Sequence, residues 1–284
     1  MRPLNALQRA LRTAVREPIV LGVAALVALL QVPVLLSQLL PPLYAAVASL
    51  VTNLLVLLLS PFTQGGMLGL ADSALDGRGD LGTFLAKGRE HYVSLFAAYL
   101  LVFAVTVALA VATLVLFLVF GVGLGAVAAS SSGVPGVAIP GGTSLLGLVF
   151  LGVVALIALA YFLAFMFVQF YGQAIVVDGY SAADSFKRSA GLVRQHFVST
   201  LGYTLLTALI GGTLGLVIGG TSALVSGQTL DALGISVSSV PLIAGLLVFV
   251  VVLSTLTSAF TSLYSVAFYR DLTPEQTGTD VSQL

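Results

Sequence analysis

The chain has no cysteine and no tryptophan, only two histidines, and charged residues make up 8% of its 284 residues. The lack of cysteine excludes disulfide bonds, thiolate nucleophiles and thiolate metal ligands together. The charged fraction lies far below the roughly 25% of soluble domains, and no polar-patterned stretch reaches the ~50 residues that a separate soluble domain needs. Because the formal net charge is zero, the composition favours no nucleic-acid partner.

Long apolar runs are abundant instead, and hydrophobic residues make up 58% of the chain. A helix needs about 20 apolar residues to cross the hydrocarbon core of a bilayer. We therefore predict an all-α, polytopic transmembrane helical bundle of six spans. The predicted spans are 18–40, 43–70, 93–125, 144–177, 198–225 and 240–269.

The whole chain, 1–284, is predicted to be a single membrane domain. Residues 1–17 form an amphipathic cytoplasmic segment in this interpretation, residues 18–269 contain the spans, and residues 270–284 form a disordered cytoplasmic tail. No cofactor is predicted.

Every basic residue lies at a terminus or in a connection that the six-span topology places on one side. Cytoplasmic loops carry the excess of Lys and Arg in membrane proteins, so this pattern predicts a cell-membrane protein with both termini in the cytoplasm. The eleven basic residues are Arg2, Arg9, Arg12, Arg16, Arg78, Lys87, Arg89, Lys187, Arg188, Arg194 and Arg270.

Two segments of the chain are similar at an offset of 105 residues. Arg89, His91, Val93, Ser94, Leu100 and Leu101 recur as Arg194, His196, Val198, Ser199, Leu205 and Leu206. This predicts an internal repeat in which spans two and three form one copy and spans four and five the other. Both copies enter and leave on the same sides, so they are parallel repeats, which transporters also contain.

The same offset relates Gln64 to Gln169, which are polar residues inside predicted spans. We interpret them as a candidate intramembrane polar pair. Two alternatives stay open, because such residues either line a polar path or form hydrogen bonds between helices.

The two cytoplasmic connections of the repeat are predicted to form interfacial helices. Asp80 is a predicted N-cap of the first helix, and Ser181 of the second, with Asp184 at the spacing of a capping box. Phe186, Ala190, Val193 and Phe197 form a predicted apolar stripe on the second helix. The basic faces are predicted either to bind anionic lipid headgroups or a membrane-protein partner, or only to anchor the topology. The candidate contact residues are Arg89, His91, Lys187, Arg188, Arg194 and His196.

The N-terminal segment has a similar pattern. Leu4, Leu7, Leu11 and Val15 oppose Arg2, Arg9, Arg12 and Arg16 on a predicted amphipathic helix. Gly211, Gly215 and Gly219 form a stripe that is predicted to pack first within the chain and second in a homodimer.

The predicted spans contain no ionisable side chain in their interiors. Proton relays and ion-coupled transporters usually need such groups, so a proton-coupled pump is disfavoured. We also find no zinc-protease, serine-hydrolase or phosphate-loop motif. His91 and His196 alone are too few ligands for a metal site. The chain is therefore predicted to have no catalytic residue, no metal and no enzymatic activity.

One motif lies directly after the fourth predicted span, and its residues are Asp178, Gly179, Ser181, Ser185, Arg188, Ser189, Leu192 and Val193. The motif resembles the acidic-Gly…Arg-Ser…Leu pattern of prokaryotic six-span membrane proteins, which include uncharacterised haloarchaeal multipass proteins and the membrane domain of some glycerophosphodiester phosphodiesterases. The catalytic barrel of those phosphodiesterases has no counterpart here, so the resemblance implies a membrane protein without an assigned activity.

Together these patterns favour a non-enzymatic integral membrane protein that organises lipid or partner proteins. The alternative is an uncoupled permease or a subunit of an export complex.

Overall fold

The described parts of the chain fold almost entirely into helices. A computed structural model describes residues 2–30, 32–37, 41–132, 145–225 and 240–273, and all regular structure in those ranges is helical. The predicted all-α class is therefore confirmed. The helices are α1 (Arg2–Arg16), α2 (Pro18–Leu29), α3 (Val32–Ser37), α4 (Pro42–Leu75), α5 (Leu81–Glu90), α6 (Tyr92–Ser132), α7 (Leu145–Val168), α8 (Tyr171–Val176), α9 (Ala182–Gln195), α10 (Phe197–Val225) and α11 (Val240–Leu272).

Five of the described helical segments are long and apolar enough to cross a membrane. They are Leu43–Leu75, Tyr92–Leu118, Leu151–Val176, Phe197–Val217 and Ala244–Leu272. Five of the six predicted spans therefore coincide with such a segment, and the count of six stays a prediction.

The first predicted span, 18–40, is divided between α2 and α3. Pro33 explains the division, because proline has no amide hydrogen to donate to the carbonyl of Leu29, four residues earlier. Residues 31 and 38–40 lie outside the described residues. The apolar helix α2 alone, Pro18–Leu29, is shorter than the other candidate spans.

The described residues fall into two compact units. One consists of residues 1–96 and 170–284, and the other of residues 97–169. The second unit contains most of α6 together with α7, and within it the hydroxyl groups of Thr113 and Tyr161 form a hydrogen bond of 3.2 Å.

The core of the first unit is an aromatic cluster. Phe170 lies with its ring centroid 5.5 Å from that of Tyr203 and 5.9 Å from that of Phe268. Tyr203 and Phe268 are stacked at 4.5 Å. By contrast, Leu50 on α4 and Leu209 on α10 are more than 60% exposed. Burial is thus concentrated at one end of these helices, as expected where the remaining surface faces lipid.

Glycine residues bring α4 and α5 into close contact. A Cβ atom on Gly66 would lie 2.6 Å from the ring of Phe84 and 2.7 Å from its carbonyl oxygen. A Cβ atom on Gly88 of α5 would likewise lie 2.8 Å from the carbonyl oxygen of Phe62. These positions therefore allow a backbone approach that any larger residue would prevent.

The glycine stripe on α10 has a different environment. A Cβ atom on Gly211, Gly215 or Gly219 would meet no described atom within 4 Å. The prediction that this stripe packs within the chain is therefore wrong for the described residues. The physical reason is that no described part of the chain packs against this face of α10.

Candidate functional site at the charged end

Three consecutive residues at the end of α11 each bind a different element of the first unit. Tyr269 binds the turn between α8 and α9, Arg270 binds the end of α4, and Asp271 binds α1. We call these three residues the α11 clamp, and the end of the helices where they lie the charged end. Helix α11 continues to Leu272, beyond the predicted end of the span at 269. Of the predicted disordered tail, 270–284, residues 274–284 lie outside the described residues.

Arg270 joins two carboxylates that lie four residues apart on α4. Its Nε donates to Asp72 Oδ1 at 2.8 Å, and its Nη1 donates to Asp76 Oδ1 at 2.8 Å. The hydrogen bond from Arg270 is the largest cause that lowers the pKa of Asp76 below its ordinary value of 3.8. Arg270 therefore stabilises Asp76 in its charged form, which helps to place an arginine at the end of an apolar helix.

Tyr269 and Arg188 bind a third carboxylate, Asp178. The hydroxyl of Tyr269 donates to Asp178 Oδ2 at 2.5 Å, and Arg188 Nε lies 3.7 Å from the same oxygen. The Asp178 side chain is 7% exposed. Burial raises its pKa, while the hydrogen bond from Tyr269 and the charge of Arg188 oppose that rise. The guanidinium of Arg188 also lies over the ring of Tyr180, 5.9 Å from its centroid.

Asp271 attaches the N-terminal helix. It forms an ion pair with Arg9 of α1, and Ala6 and Ala10 on the same helix are completely buried. Arg9, which the sequence placed on a basic face open to the surroundings, thus has a partner within the chain.

The corner between α8 and α9 depends on two residues of the motif. Gly179 has φ = +74°, a left-handed conformation that favours glycine. Ser181 is the N-cap of α9, and its hydroxyl accepts a hydrogen bond from the amide of Asp184. The predicted cap is thus confirmed, as is the Asp80 cap of α5, which accepts from the amide of Thr83 at 2.6 Å.

Ser189 connects α9 to the break between α7 and α8. The amide of Phe170 at that break donates to Ser189 Oγ at 3.2 Å, and Ser189 is completely buried. A helix break leaves amides without an intrahelical acceptor, so the hydroxyl oxygen of Ser189 accepts the hydrogen bond from the amide of Phe170.

The buried face of α9 differs from the predicted apolar stripe. Val193, predicted to face the membrane, is instead buried within the protein, whereas Phe197 is 42% exposed. Phe186 stacks on Tyr171 of α8 at 5.4 Å. The buried residues of α9 are Ser185, Ser189, Leu192 and Val193. The helix therefore packs against the protein through small polar residues that hydropathy alone does not mark.

The predicted contact residues occupy three kinds of environment. Lys187 is 80% exposed and pairs with Asp184 at 3.0 Å, and Arg89 and Arg194 are also exposed. Arg188 is only 28% exposed and faces Asp178. Lys187 and Arg194 thus lie on the exposed surface of α9, whereas Arg188 is part of the packed charged end.

The two histidines occupy corresponding positions. His91 is the C-cap of α5 and His196 the C-cap of α9, and the next helices begin at Tyr92 and Phe197. Burial lowers the pKa of His91, because it disfavours the protonated imidazole. The helix ends of the two connections therefore recur at the offset of the sequence similarity.

Gln64 contacts a residue that the sequence analysis did not pair with it. Its side-chain amide lies 3.5 Å from the hydroxyl of Tyr171 in α8. Gln64 and Gln169 belong to different compact units, so the predicted pair stays a prediction.

The carboxylates of α4 and the α11 clamp were not predicted from the sequence. The second span was predicted to end at 70 and the sixth at 269, whereas the helices continue to Leu75 and Leu272. Asp72 and Asp76 at a four-residue spacing, and one arginine after a long apolar run, were the available signals. Neither signal shows which charged groups meet.

Over the described residues, the fold and the site define an all-helical protein with five segments long and apolar enough to cross a membrane and a network of ion pairs at the end of α11. The chain belongs to the family described as a domain of unknown function, DUF7847, whose family model matches residues 1–272. No curated protein and no solved structure matches the chain. The family description assigns no activity, so the function has to be argued from the charged end.

Proposed function

We propose that this protein is a non-enzymatic integral membrane component that binds anionic lipid headgroups through the exposed basic residues of α9. In the proposed topology six spans cross the cell membrane and both termini face the cytoplasm. The distribution of all eleven basic residues supports that orientation. A membrane-protein partner with an acidic surface is the other ligand with the chemistry to bind there.

The observation that carries the proposal is the combination of a fixed helix with exposed positive charge. Ser189 and Val193 are completely buried, and Asp178 pairs with Arg188 on the inner side of α9. Lys187 and Arg194 lie on the exposed part of the same helix. Because the packed face fixes α9, a headgroup would bind the basic face without first having to order a flexible segment.

We also propose a parallel internal repeat as the origin of this arrangement. The ends of α5 and α9, and the starts of α6 and α10, are separated by 105 residues, which is the offset of the sequence similarity. Under this proposal Arg89 with His91 forms a second contact region that corresponds to Arg194 with His196. The resemblance to prokaryotic six-span proteins agrees with this interpretation and adds no activity.

Native mass spectrometry with one single-charge variant and one matched control tests the lipid proposal. Arg194→Gln removes an exposed charge from α9, and Arg78→Gln removes a 78% exposed charge from the turn between α4 and α5. A basic residue near an anionic surface contributes about 1 kcal/mol, so Arg194→Gln should weaken binding of phosphatidylglycerol about fivefold.

The Arg78→Gln control distinguishes a lipid site on α9 from general electrostatic attraction between lipid and protein. Arg78→Gln should leave the binding of phosphatidylglycerol close to that of the unsubstituted protein, and neither variant should change the weaker binding of phosphatidylcholine. Equal losses for the two variants would mean that only net charge matters, and the proposed site on α9 would then be wrong.

A second candidate function is an uncoupled permease or an export-complex subunit. The contact between Gln64 and Tyr171 favours it, because it places polar groups on a helix inside the candidate span Leu43–Leu75. In proteoliposomes, a solute flux that disappears in the double variant Gln64→Leu, Gln169→Leu would support this function. A flux unchanged by the double variant would show that these residues do not line its path.

A further inference from the structure

Helix α1 presents two apolar faces with different environments. Ala6 and Ala10 are completely buried where α1 packs along α11. Leu4, Leu11 and Val15 are 53%, 51% and 84% exposed. Positions separated by seven and by four residues lie on one side of a helix, so these three side chains form a continuous stripe, which we call the α1 stripe.

Two contacts fix how α1 lies along its neighbours. Arg9 pairs with Asp271 at the charged end. Pro3 lies 3.7 Å from the position of a Cβ atom on Gly202, and Gly202 is inside the candidate span Phe197–Val217. The start of α1 is therefore beside a membrane-crossing segment, whereas its later turns reach the charged end.

The surroundings of Gly202 indicate what covers the start of α1. Leu205, one turn further along α10, is 55% exposed, and such a side chain on an apolar span faces lipid. Leu4, the first residue of the α1 stripe, follows Pro3, which lies beside Gly202. The stripe therefore begins near a candidate span whose exposed side chains would face lipid.

The charges on α1 also indicate that lipid covers the α1 stripe. Arg12 and Arg16 are exposed and lie on the side of α1 that adjoins the stripe. Amphipathic helices with this arrangement lie at the membrane surface, with the apolar side about 5–10 Å into the boundary between headgroups and acyl chains. Basic residues beside such a stripe are attracted to anionic lipid.

We propose that α1 is an interfacial anchor whose stripe is inserted in the leaflet on the charged side of the protein. Leu4 lies deepest, Val15 lies closest to the headgroups, and Arg12 and Arg16 contact lipid phosphates. The proposal goes beyond lipid binding by α9, since it concerns another surface and holds in zwitterionic lipid too.

The absence of tryptophan from the chain permits a direct test. Leu4→Trp and Val15→Trp each create a single-tryptophan protein with the new side chain on the stripe, while Asn5→Trp places it at an exposed position on the basic side. The full-length variants are reconstituted in phosphatidylcholine vesicles that contain brominated acyl chains. Because each substituted position is exposed, the fold should tolerate all three, and circular dichroism checks this.

We expect blue-shifted emission and at least twofold quenching for both stripe variants and neither effect for Asn5→Trp. Bromine near the chain ends should quench Leu4→Trp more than Val15→Trp. Water-like emission from the stripe variants would overturn the proposal. Blue-shifted emission without quenching would also overturn it, because protein, such as a second copy of the chain, would then cover the stripe. Neither result depends on Arg194, so failure here is distinguishable from failure of lipid binding by α9.

Discussion

Arg270 is the residue whose removal we expect to destabilise the charged end most. Arg270→Leu keeps an apolar side chain at the end of α11 but leaves Asp72 and Asp76 without their shared partner. A hydrogen bond to a charged group contributes about 1.5–3 kcal/mol. The Asp76 side chain is 39% exposed, so solvent screening makes the contribution of its pair with Arg270 small. The Asp72 side chain is 29% exposed, so its pair with Arg270 contributes more. We therefore expect a loss of about 2–4 kcal/mol in the free energy of unfolding.

The assay is unfolding in mild-detergent micelles by added sodium dodecyl sulfate, followed by circular dichroism. Arg78→Leu is the matched control, because Arg78 pairs with Asp76 at 3.3 Å but is 78% exposed. Such exposed pairs contribute about 0–1 kcal/mol. Equal and small shifts for Arg270→Leu and Arg78→Leu would refute the reasoning, since the clamp would then add nothing beyond a surface ion pair.

We also expect the stability difference between the unsubstituted protein and Arg270→Leu to depend on pH. Arg270 holds the pKa of Asp76 below 3.8, so the paired carboxylate contributes stability that is fully present above pH 3.8. That contribution is lost as the pH falls through the lowered pKa of the folded state. The difference in stability between the unsubstituted protein and Arg270→Leu should thus be constant from about pH 7 to 5 and shrink below about pH 4.

Two further predictions use the same unfolding assay. Gly66→Ala places a Cβ against the ring and the carbonyl of Phe84 and should lower the free energy of unfolding by about 1–3 kcal/mol. Gly212→Ala, where a Cβ meets no described atom within 4 Å, should leave this free energy unchanged or raise it by up to about 1 kcal/mol. Ser189→Ala leaves the amide of Phe170 unpaired and should cost about 1–3 kcal/mol, whereas the equally buried Ser185→Ala loses only a local bond and should cost no more than about 1 kcal/mol. Equal effects within either pair would contradict the packing described for α4 or for α9.

Features that depend on neighbouring residues could be predicted from the sequence. The long helices follow from apolar runs, and the caps at Asp80 and Ser181 follow from side chains that bond an amide three residues later. The division of the first span also follows from a local feature, Pro33. It was not predicted, because the residues on both sides of Pro33 form one apolar run. Local chemistry thus accounts for the helices and for most of their ends.

Features that depend on distant residues could not be predicted in the same way. Arg270 meets Asp72 and Asp76 across separations of 198 and 194 residues. The apolar helices have no strong periodicity, because membrane spans are hydrophobic all round, so the sequence does not show which faces meet. On α9 a hydropathy pattern does not identify Ser185 and Ser189 as buried. They can be buried because Ser185 donates to the carbonyl of Ala182 and Ser189 accepts from the amide of Phe170.

The motif from Asp178 to Val193 is explained by structure before any chemistry is invoked. Gly179 allows the left-handed turn, Ser189 pairs the amide at the helix break, and Arg188 faces Asp178 on the packed side. Each of these three positions has a structural role that another residue would disturb, so similarity in this motif indicates a shared turn between helices rather than a shared reaction. Functional differences within the family should then be sought at exposed positions such as Lys187 and Arg194, where a ligand has access.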